Sequence, residues 1–343
     1  MKAVVLHGRE DLRVEEIAPL PLRAGEARVD IQAALTCGTD LKVFRRGYHA
    51  KMISPPAVFG HELAGRISEV GAGVAGWRVG DPVVAANSAP CGNCHSCRIG
   101  RENLCDDLLF LNGAYAESVV IPARVVEKNL LRLKPGTGFA DAALTEPLAC
   151  VVQGWEELKP EAGQRLLVIG SGPIGLMFVG LGRVGGCAVT MAGRGAERLQ
   201  LARKLDAQIV EIAAKSDVVK AVRSATGGEF DVVIEAVGKP ETWEASVALA
   251  RKGGKVNLFG GCPAGTTVTL DTGLLHYSSI TLISTFHHTP RAMRSALALI
   301  EAGVIHARDF VNGECRLSEL PELFRKMSAG NRAVKTLVRP GAP

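Results

Sequence analysis

Residues 166–176 read LLVIGSGPIGL, the clearest structural pattern in the chain. Four apolar residues, 166–169, predict a buried strand, and three glycines then follow in G-x-G-x-x-G spacing as a helix begins at Pro173. Such a turn holds a pyrophosphate, because glycine allows close backbone approach and the first N–H groups of the helix face the anion. A glycine triplet alone is weak evidence, since glycine-rich turns are common. The cofactor contacts that this motif predicts are Gly170, Gly172, Pro173, Ile174 and Gly175.

The surrounding sequence predicts a parallel α/β sheet. From about residue 151, short apolar strands alternate with helical stretches, as in a doubly wound Rossmann domain. The predicted strands are Leu166–Ile169, Ala188–Ala192, Gln208–Glu211, Asp231–Ala236, Lys255–Phe259 and Thr281–Ser284. We assign residues 151–287 to this domain and include Val237 and Gly238 among its cofactor-binding residues.

Size and composition limit the class of protein. A chain of 343 residues exceeds what one core usually supports, so we expect two domains. Hydrophobic residues make up 47%, yet no apolar run approaches the roughly 20 residues that span a bilayer, and the N-terminus lacks a signal-peptide core. A net charge of +5 with scattered Lys and Arg gives little support for a nucleic-acid or membrane partner. We expect a cytoplasmic protein.

The first 150 residues are β-rich. Strands are predicted at Ala3–Leu6, Ala27–Leu35, Leu63–Val70 and Asp81–Ala85, in a compact β-barrel-like unit. Residues from about 287 onward return to mixed patterning and are expected to rejoin this unit.

A cysteine-rich segment, CGNCHSCRIGRENLC, interrupts the β-rich part at residues 91–105. Its C-x2-C-x2-C-x7-C spacing lets four thiolates, from Cys91, Cys94, Cys97 and Cys105, surround one structural Zn²⁺. The alternative is a set of free or redox-active thiols, which four cysteines within fifteen residues make less favourable.

Four other residues have side chains of the kind that bind a catalytic metal. Cys37, His61, Glu62 and Glu146 provide thiolate, imidazole and carboxylate donors suited to zinc. Each also has an ordinary interpretation: a core cysteine, a hydrogen-bonded His–Glu pair, or an acid at a helix N-terminus. Spacing does not decide between these interpretations.

Five motifs resemble one family in their order along the chain. They are TCGTD at 36–40, GHE at 60–62, the four cysteines, EPL at 146–148 and GSGPIG at 170–175, and together they resemble the zinc-containing medium-chain dehydrogenase/reductase family over essentially the whole chain. The resemblance implies a GroES-like catalytic domain, from residues 1–150 and 288–343, around an inserted Rossmann domain. It also implies two zinc ions per chain. Cys37, His61 and Glu62 would be catalytic-zinc ligands and Glu146 a further acidic ligand or water-mediated partner.

The motifs are most similar to those of the sorbitol and threonine dehydrogenase branch, because Glu146 stands where simple alcohol dehydrogenases have Cys and Glu62 follows His61. This favours a polyhydroxylated small molecule, such as a polyol, sugar or cyclitol, as substrate. The alternatives are an L-threonine 3-dehydrogenase-like enzyme and a non-enzymatic nucleotide-binding sensor. The donor-rich loop Lys42–Lys51 is expected to border the substrate pocket, or to be a solvated basic loop. A homodimer or homotetramer is implied only by resemblance.

The resemblance also implies a proton relay. Thr39 matches the family's relay hydroxyl, whereas Lys42 stands where relatives usually have His. Lysine is a base at neutral pH only when desolvated or near other cations, so the terminal acceptor stays open.

The end of the second Rossmann strand favours NADP over NAD, with NAD as the alternative. An acid that would bind the adenosine ribose is missing, and the strand ends in Gly193-Arg194-Gly195. Arg194 and Arg198 offer cations to a 2′-phosphate. Arg194 could instead be a solvated residue stacking on adenine, with NAD bound through other contacts.

Overall fold

The computed structural model describes residues 1–214, 216–330 and 333–341. They divide into two compact units: residues 1–149 with those from 288 onward, and residues 150–287. In the described ranges, no helix combines the length and apolar character that crossing a membrane requires.

The strands, in chain order, are β1 (Lys2–Gly8), β2 (Asp11–Glu16), β3 (Ala27–Leu35), β4 (Ala57–Val58), β5 (Glu62–Val70), β6 (Pro82–Ala85), β7 (Ser88–Ala89), β8 (Leu109–Phe110), β9 (Ser118–Ile121), β10 (Leu130–Arg132), β11 (Arg165–Ile169), β12 (Ala188–Gly193), β13 (Gln208–Glu211), β14 (Phe230–Glu235), β15 (Ala250–Leu258), β16 (Thr281–Ile283), β17 (Val311–Arg316) and β18 (Lys335–Arg339).

The α-helices are α1 (Gly38–Arg46), α2 (His95–Arg98), α3 (Ala123–Asn129), α4 (Phe139–Ala142), α5 (Thr145–Leu158), α6 (Pro173–Val184), α7 (Ala196–Lys204), α8 (Val218–Thr226), α9 (Pro240–Ala248), α10 (Thr272–Tyr277), α11 (Pro290–Glu301) and α12 (Leu320–Ser328). Short 3-10 helices lie at Glu102–Leu104, Ala307–Asp309 and Leu317–Glu319.

The first unit is built on a seven-stranded sheet. Its strand order is β10-β6-β5-β3-β18-β17, and β9 also pairs with β3. The alternating burial of β3 follows its alternating apolar and polar residues, which places Val29 and Ile31 in the core. Strand β18 pairs antiparallel with β3, with Leu337 opposite Leu35. Residues from the end of the sequence therefore form part of the same sheet as the N-terminal strands.

The second unit is a six-stranded parallel sheet in the order β13-β12-β11-β14-β15-β16. All six strands predicted from the sequence are present, although β15 begins earlier, at Ala250. Chain order reverses between β11 and β14, which makes the carboxyl ends of these two strands the expected ligand-binding edge. Gly170 lies there, and a Cβ on it would come 2.9 Å from Cγ2 of Val237.

One segment differs from the sequence-based interpretation. Lys42–Arg46, read as part of a loop, forms the second half of helix α1. Cys37 is the N-cap of this helix, and Asp40 closes a capping box by accepting from the N–H of Cys37. The helix ends at Arg46 and is capped by Gly47, whose φ of 89° favours glycine. Only the remainder, residues 47–51, is non-helical.

Candidate zinc and cofactor sites

The four cysteines of the 91–105 segment converge. All four sulfur atoms lie within 4.8 Å of one another, with Cys91 and Cys97 at 4.0 Å and Cys94 and Cys105 at 3.9 Å. Sulfurs around a tetrahedral zinc with Zn–S bonds of ~2.3 Å lie about 3.8 Å apart. The spacing of these sulfur atoms therefore fits a tetrahedral zinc site.

Backbone N–H groups stabilise negative charge within this cluster. The N–H groups of Asn93 and Cys94 donate to Sγ of Cys91 and lower the pKa of that thiol to about 6. Burial instead raises the pKa of Cys97 to about 12. A cation at the centre would compensate this cost of charging several thiolates, because bound zinc favours the deprotonated form.

A second cluster forms at the start of helix α1. The ligand atoms of Cys37, His61 and Glu62 lie within 4.8 Å of one another. Cys37 is half-buried, whereas His61 is 4% exposed and Glu62 is fully buried. Two segments of the chain supply these side chains. Strand β5 begins at Glu62 and pairs with β3, which places Glu62 opposite Leu35, two residues before Cys37. Thiolate, imidazole and carboxylate together are a donor set for zinc.

Asp40 orients the histidine of this cluster. Its Oδ1 lies 2.8 Å from Nδ1 of His61, and its Oδ2 accepts from the hydroxyl of Tyr115 at 2.5 Å. With Nδ1 facing a carboxylate, Nε2 is the nitrogen left to bind a metal. Burial lowers the pKa of His61, but Asp40 and Cys37 outweigh this and hold it well above its usual value.

Glu62 forms an ion pair with Lys335 of β18. Nζ of Lys335 donates to both carboxylate oxygens, at 2.7 and 2.5 Å, and to the carbonyl of Thr36 at 3.0 Å. Both side chains are almost completely buried. The carboxylate raises the pKa of Lys335 against the effect of burial, which keeps the ammonium charged.

Glu146 lies in the first turn of α5 and is outside the three-residue cluster. It is buried, and burial raises its pKa to about 7, while the charge on nearby His61 opposes this shift. Its Oε1 lies 3.7 Å from Nε2 of the buried His288. A carboxylate this close to the cluster can bind a metal or a water beside it.

The two predicted relay residues lie on α1. Thr39 is half-buried, and its N–H donates to Sγ of Cys37 at 3.4 Å. Lys42, about one helical turn later, is exposed.

The glycine turn has the geometry that phosphate binding requires. Gly170 has a φ of 118°, and a Cβ on Gly175 would lie 1.9 Å from the carbonyl oxygen of Gly170. Gly172 is the N-cap of α6, Pro173 its first residue, and Ile174 is half-buried beside them. Nothing lies within 4 Å of a Cβ placed on Gly172, which leaves open space beside this helix N-terminus.

A buried carboxylate shapes the neighbouring loop after β14. Glu235 accepts from the N–H groups of Val237 (2.9 Å) and Gly238 (3.0 Å) and from the hydroxyl of Thr242 (2.7 Å). Burial raises the pKa of Glu235, and these donors oppose the shift. The loop that carries two predicted cofactor residues is thus held by a residue the sequence analysis did not single out.

The end of β12 carries the predicted 2′-phosphate residues. Arg194 is exposed and Arg198 is half-buried in α7. Oγ of Ser171 donates to the carbonyl of Arg194 at 2.6 Å and accepts from its N–H at 3.0 Å. The turn between β11 and α6 is therefore hydrogen-bonded to the residue that follows β12.

Two protein-family models match the chain, one in its β-rich first part and one over most of the parallel-sheet unit. Residues 23–130 match the alcohol dehydrogenase GroES-like domain, and residues 173–302 match the zinc-binding dehydrogenase model. D-arabitol-phosphate dehydrogenase of Enterococcus avium is 32% identical, over 94% of this chain and 94% of its own. The chain belongs to the zinc-containing medium-chain dehydrogenase/reductase family. The resemblance, the GroES-like and Rossmann fold class and the assignment as an enzyme are thereby confirmed.

Other dehydrogenases of this family match nearly the whole chain. Sorbitol dehydrogenase of Bacillus subtilis (strain 168) is 25% identical over 99% of this chain and 97% of its own. L-threonine 3-dehydrogenase of Pyrococcus furiosus is 30% identical over 96% and 95%. A solved structure of a protein assigned as a zinc-binding dehydrogenase from Sinorhizobium meliloti 1021, bound to NADP, is 29% identical and superimposes with a TM-score of 0.89 over 99% of both chains. The protein is a zinc-dependent oxidoreductase that uses a nicotinamide cofactor.

Several residues of this dehydrogenase were missed by sequence reasoning. Asp40, Lys335, Glu235 and Ser171 contact predicted site residues, and Tyr115 is hydrogen-bonded to Asp40. Asp40 could have been identified from the sequence, because it lies in the TCGTD motif, three residues after Cys37, as in a capping box. The others become visible only when strands and loops distant in sequence are brought together.

Proposed function

We propose that this enzyme oxidises a secondary hydroxyl of a polyol, sugar or cyclitol, or reduces the corresponding ketone, with NADP(H) as preferred cofactor. The observation that carries the proposal is the cluster of Cys37, His61 and Glu62 with the buried Glu146 beside it. Two carboxylates next to a thiolate and an imidazole give a metal site with harder oxygen donors, which accept hydrogen bonds better than the sulfur donors of a site with mainly cysteine ligands. Relatives that act on sorbitol and arabitol phosphate support the same class.

In this proposal the protein holds two zinc ions, one at the four cysteines and one at Cys37, His61 and Glu62, with Glu146 as a direct or water-mediated partner. Zinc at the second site supplies a Lewis acid that lowers the pKa of a bound hydroxyl. Asp40 keeps His61 in the orientation that leaves Nε2 to the metal.

Thr39, two residues after Cys37 at the start of α1, would relay the hydroxyl proton by accepting it while giving up its own proton to the next group in the relay. Lys42 is the proposed terminal acceptor. It lies one turn after Thr39 on α1 and is exposed to water. Lys42→Ala should depress oxidation most at neutral pH, and small amine buffers should restore part of the rate. An unchanged pH–rate profile would remove Lys42 from the relay.

The preference for NADP rests on the end of β12, where the residue types fit a 2′-phosphate. Arg194 is exposed there and Arg198 follows in the first turns of α7, while no carboxylate stands at position 193. The structural relative with bound NADP supports this choice. Arg194→Ala should reduce kcat/KM for NADP about tenfold and leave NAD little changed. Arg203→Ala, an exposed arginine farther along α7, is the matched control.

L-threonine is the second candidate substrate, because threonine dehydrogenases of 30% identity also match the chain. A panel of polyols, cyclitols, sugar phosphates and L-threonine, each with NAD and NADP, separates the two by the absorbance of the reduced cofactor. Turnover of a polyol or cyclitol with NADP is expected. Turnover of L-threonine alone, or higher efficiency with NAD, would overturn the corresponding part of the proposal.

We also propose a cytoplasmic homodimer or homotetramer. Strand β16 is an edge of the six-stranded sheet, and Tyr277, just before it, exposes 82% of its surface, which suits pairing between copies. Sedimentation of the purified protein tests the assembly.

The proposed cytoplasmic location is supported by the nine cysteines, all of them within the described ranges, none of which forms a disulfide.

A further inference from the structure

We propose that Ser171 is a specificity-determining residue for the cofactor, because it crowds the space that any side chain at position 193, including an acid, would occupy. The effect on cofactor choice rests on the NADP preference proposed above, whereas the steric exclusion does not.

The exclusion is a matter of distances. An ideal Cβ on Gly193 would lie 2.6 Å from Cβ of Ser171, 2.7 Å from its Oγ and 3.0 Å from its backbone nitrogen. Non-bonded carbon atoms prefer about 3.5–4.0 Å, so the first two approaches are repulsive. Ser171 cannot easily turn away, because its Cβ is fixed to the glycine turn and its hydroxyl makes two hydrogen bonds to the backbone of Arg194.

The backbone itself does not require glycine at this position. The φ of Gly193 is not positive, and Gly193 pairs as an ordinary residue of β12 with Glu211 of β13. An L-amino acid could adopt this conformation if the space were open. The need for glycine at 193 therefore comes from crowding by Ser171, most closely by its side chain and then by its backbone nitrogen, rather than from the φ of Gly193.

Position 193 is where a carboxylate would matter most. It ends the second strand of the sheet, where an acid accepts hydrogen bonds from the adenosine ribose and repels a 2′-phosphate. By keeping this position empty, Ser171 prevents the arrangement that favours NAD. The same hydroxyl fixes the backbone of Arg194, the residue that offers a cation at this edge. One side chain thus both removes an NAD contact and positions an NADP contact.

Protein stability without cofactor tests the steric part. Gly193→Ala should lower the Tm of the zinc-loaded full chain by several degrees in the natural background, and clearly less in a Ser171→Gly background. Ser171→Ala keeps the Cβ and should leave the Gly193→Ala effect large. Gly8→Ala is the matched control, because nothing lies within 4 Å of a Cβ on Gly8, and it should add independently to Ser171→Gly. If Gly193→Ala fails to fold, recovery of folded protein in the double variant supports the proposal. An equal Tm loss in both backgrounds, or failure to fold in both, overturns it.

Cofactor kinetics test the specificity part. Gly193→Asp alone should yield poor activity with both cofactors, whereas Ser171→Gly with Gly193→Asp should raise the NAD/NADP ratio of kcat/KM at least about tenfold above that of the single variant. An equal ratio in the single and double variants overturns the specificity role. A natural enzyme that prefers NAD would refute the proposed NADP preference, while the Tm comparison would still decide the steric claim.

Discussion

The buried ion pair between Lys335 and Glu62 is expected to affect the free energy of unfolding strongly when one partner is removed. Both side chains are almost inaccessible to water, and Lys335 donates to both carboxylate oxygens. Removing one partner of such a pair leaves a buried charge uncompensated, which typically costs about 3–5 kcal/mol. Lys335→Met should therefore lower the free energy of unfolding by about that amount in denaturant titrations.

The control is an exposed pair. Lys239→Met breaks an ion pair with Glu241 in which both side chains are more than half exposed, and the loss should stay below about 1 kcal/mol. Adding Glu62→Gln to Lys335→Met should recover part of the stability. A Lys335→Met protein as stable as the Lys239→Met protein would show that Glu62 is neutralised in some other way.

Tyr115 is predicted to act on the metal site through Asp40. Its hydroxyl donates to the carboxylate that faces Nδ1 of His61, and its ring packs among Phe59 and Phe324. Tyr115→Phe keeps the ring and removes the hydroxyl, with its hydrogen bonds to Asp40 and to the carbonyl of Leu35. Zinc affinity at Cys37 and His61 should fall about tenfold, as for other residues that orient a ligand from behind.

The measurement is zinc release to a chromophoric chelator, together with the visible spectrum after cobalt substitution at this site. Tyr277→Phe, an exposed tyrosine, should change neither. Equal zinc release from the Tyr115→Phe and natural proteins would leave Tyr115 a packing residue only.

Secondary-structure elements were predictable from the sequence where residues close together along the chain determine them. The six parallel strands were predictable because apolar runs bounded by glycine and charge determine them locally. Helix α1 was missed because its capping box involves a cysteine N-cap, whereas Ser, Thr, Asp and Asn are the usual N-caps. Lys335 was missed because it reaches Glu62 across 273 residues, through the pairing of β18 with β3. Composition and spacing carry no information on such a contact.

The four-cysteine segment is an element whose structure should depend on its metal. Its two short helices, His95–Arg98 and Glu102–Leu104, contain little buried apolar surface. Cys94→Ser should therefore remove one zinc per chain, lower the Tm and expose residues 91–105 to limited proteolysis. Cys187→Ser, outside both clusters, is the control. Intact zinc content and proteolytic resistance in Cys94→Ser would favour free thiols over a structural metal.

For the whole molecule, the proposed metal-binding residues and the proposed cofactor-binding residues belong to different units. The cysteine segment and the Cys37 cluster are formed by residues of the first unit, whereas the glycine turn and the end of β12 are formed by residues of the second. The five sequence motifs were sufficient to predict the family and both parts of the fold, because each is a short segment with a fixed chemical role. The substrate was not predictable in the same way, since it depends on side chains whose placement no single motif determines.

This division predicts two separable steps on metal removal. Four thiolates should hold zinc more tightly than one thiolate with an imidazole and a carboxylate, because sulfur donors suit this ion. Graded treatment with a chelator should therefore first yield a protein with one zinc per chain. That protein should be inactive, retain its fold by circular dichroism, and still bind NADPH, whose proposed contacts from Gly170 to Gly175 include no metal ligand. Added zinc should restore turnover. Stronger treatment should then remove the second zinc, with a fall in Tm and no simple recovery. Loss of activity, NADPH binding and fold in a single step would contradict the assignment of one catalytic and one structural zinc.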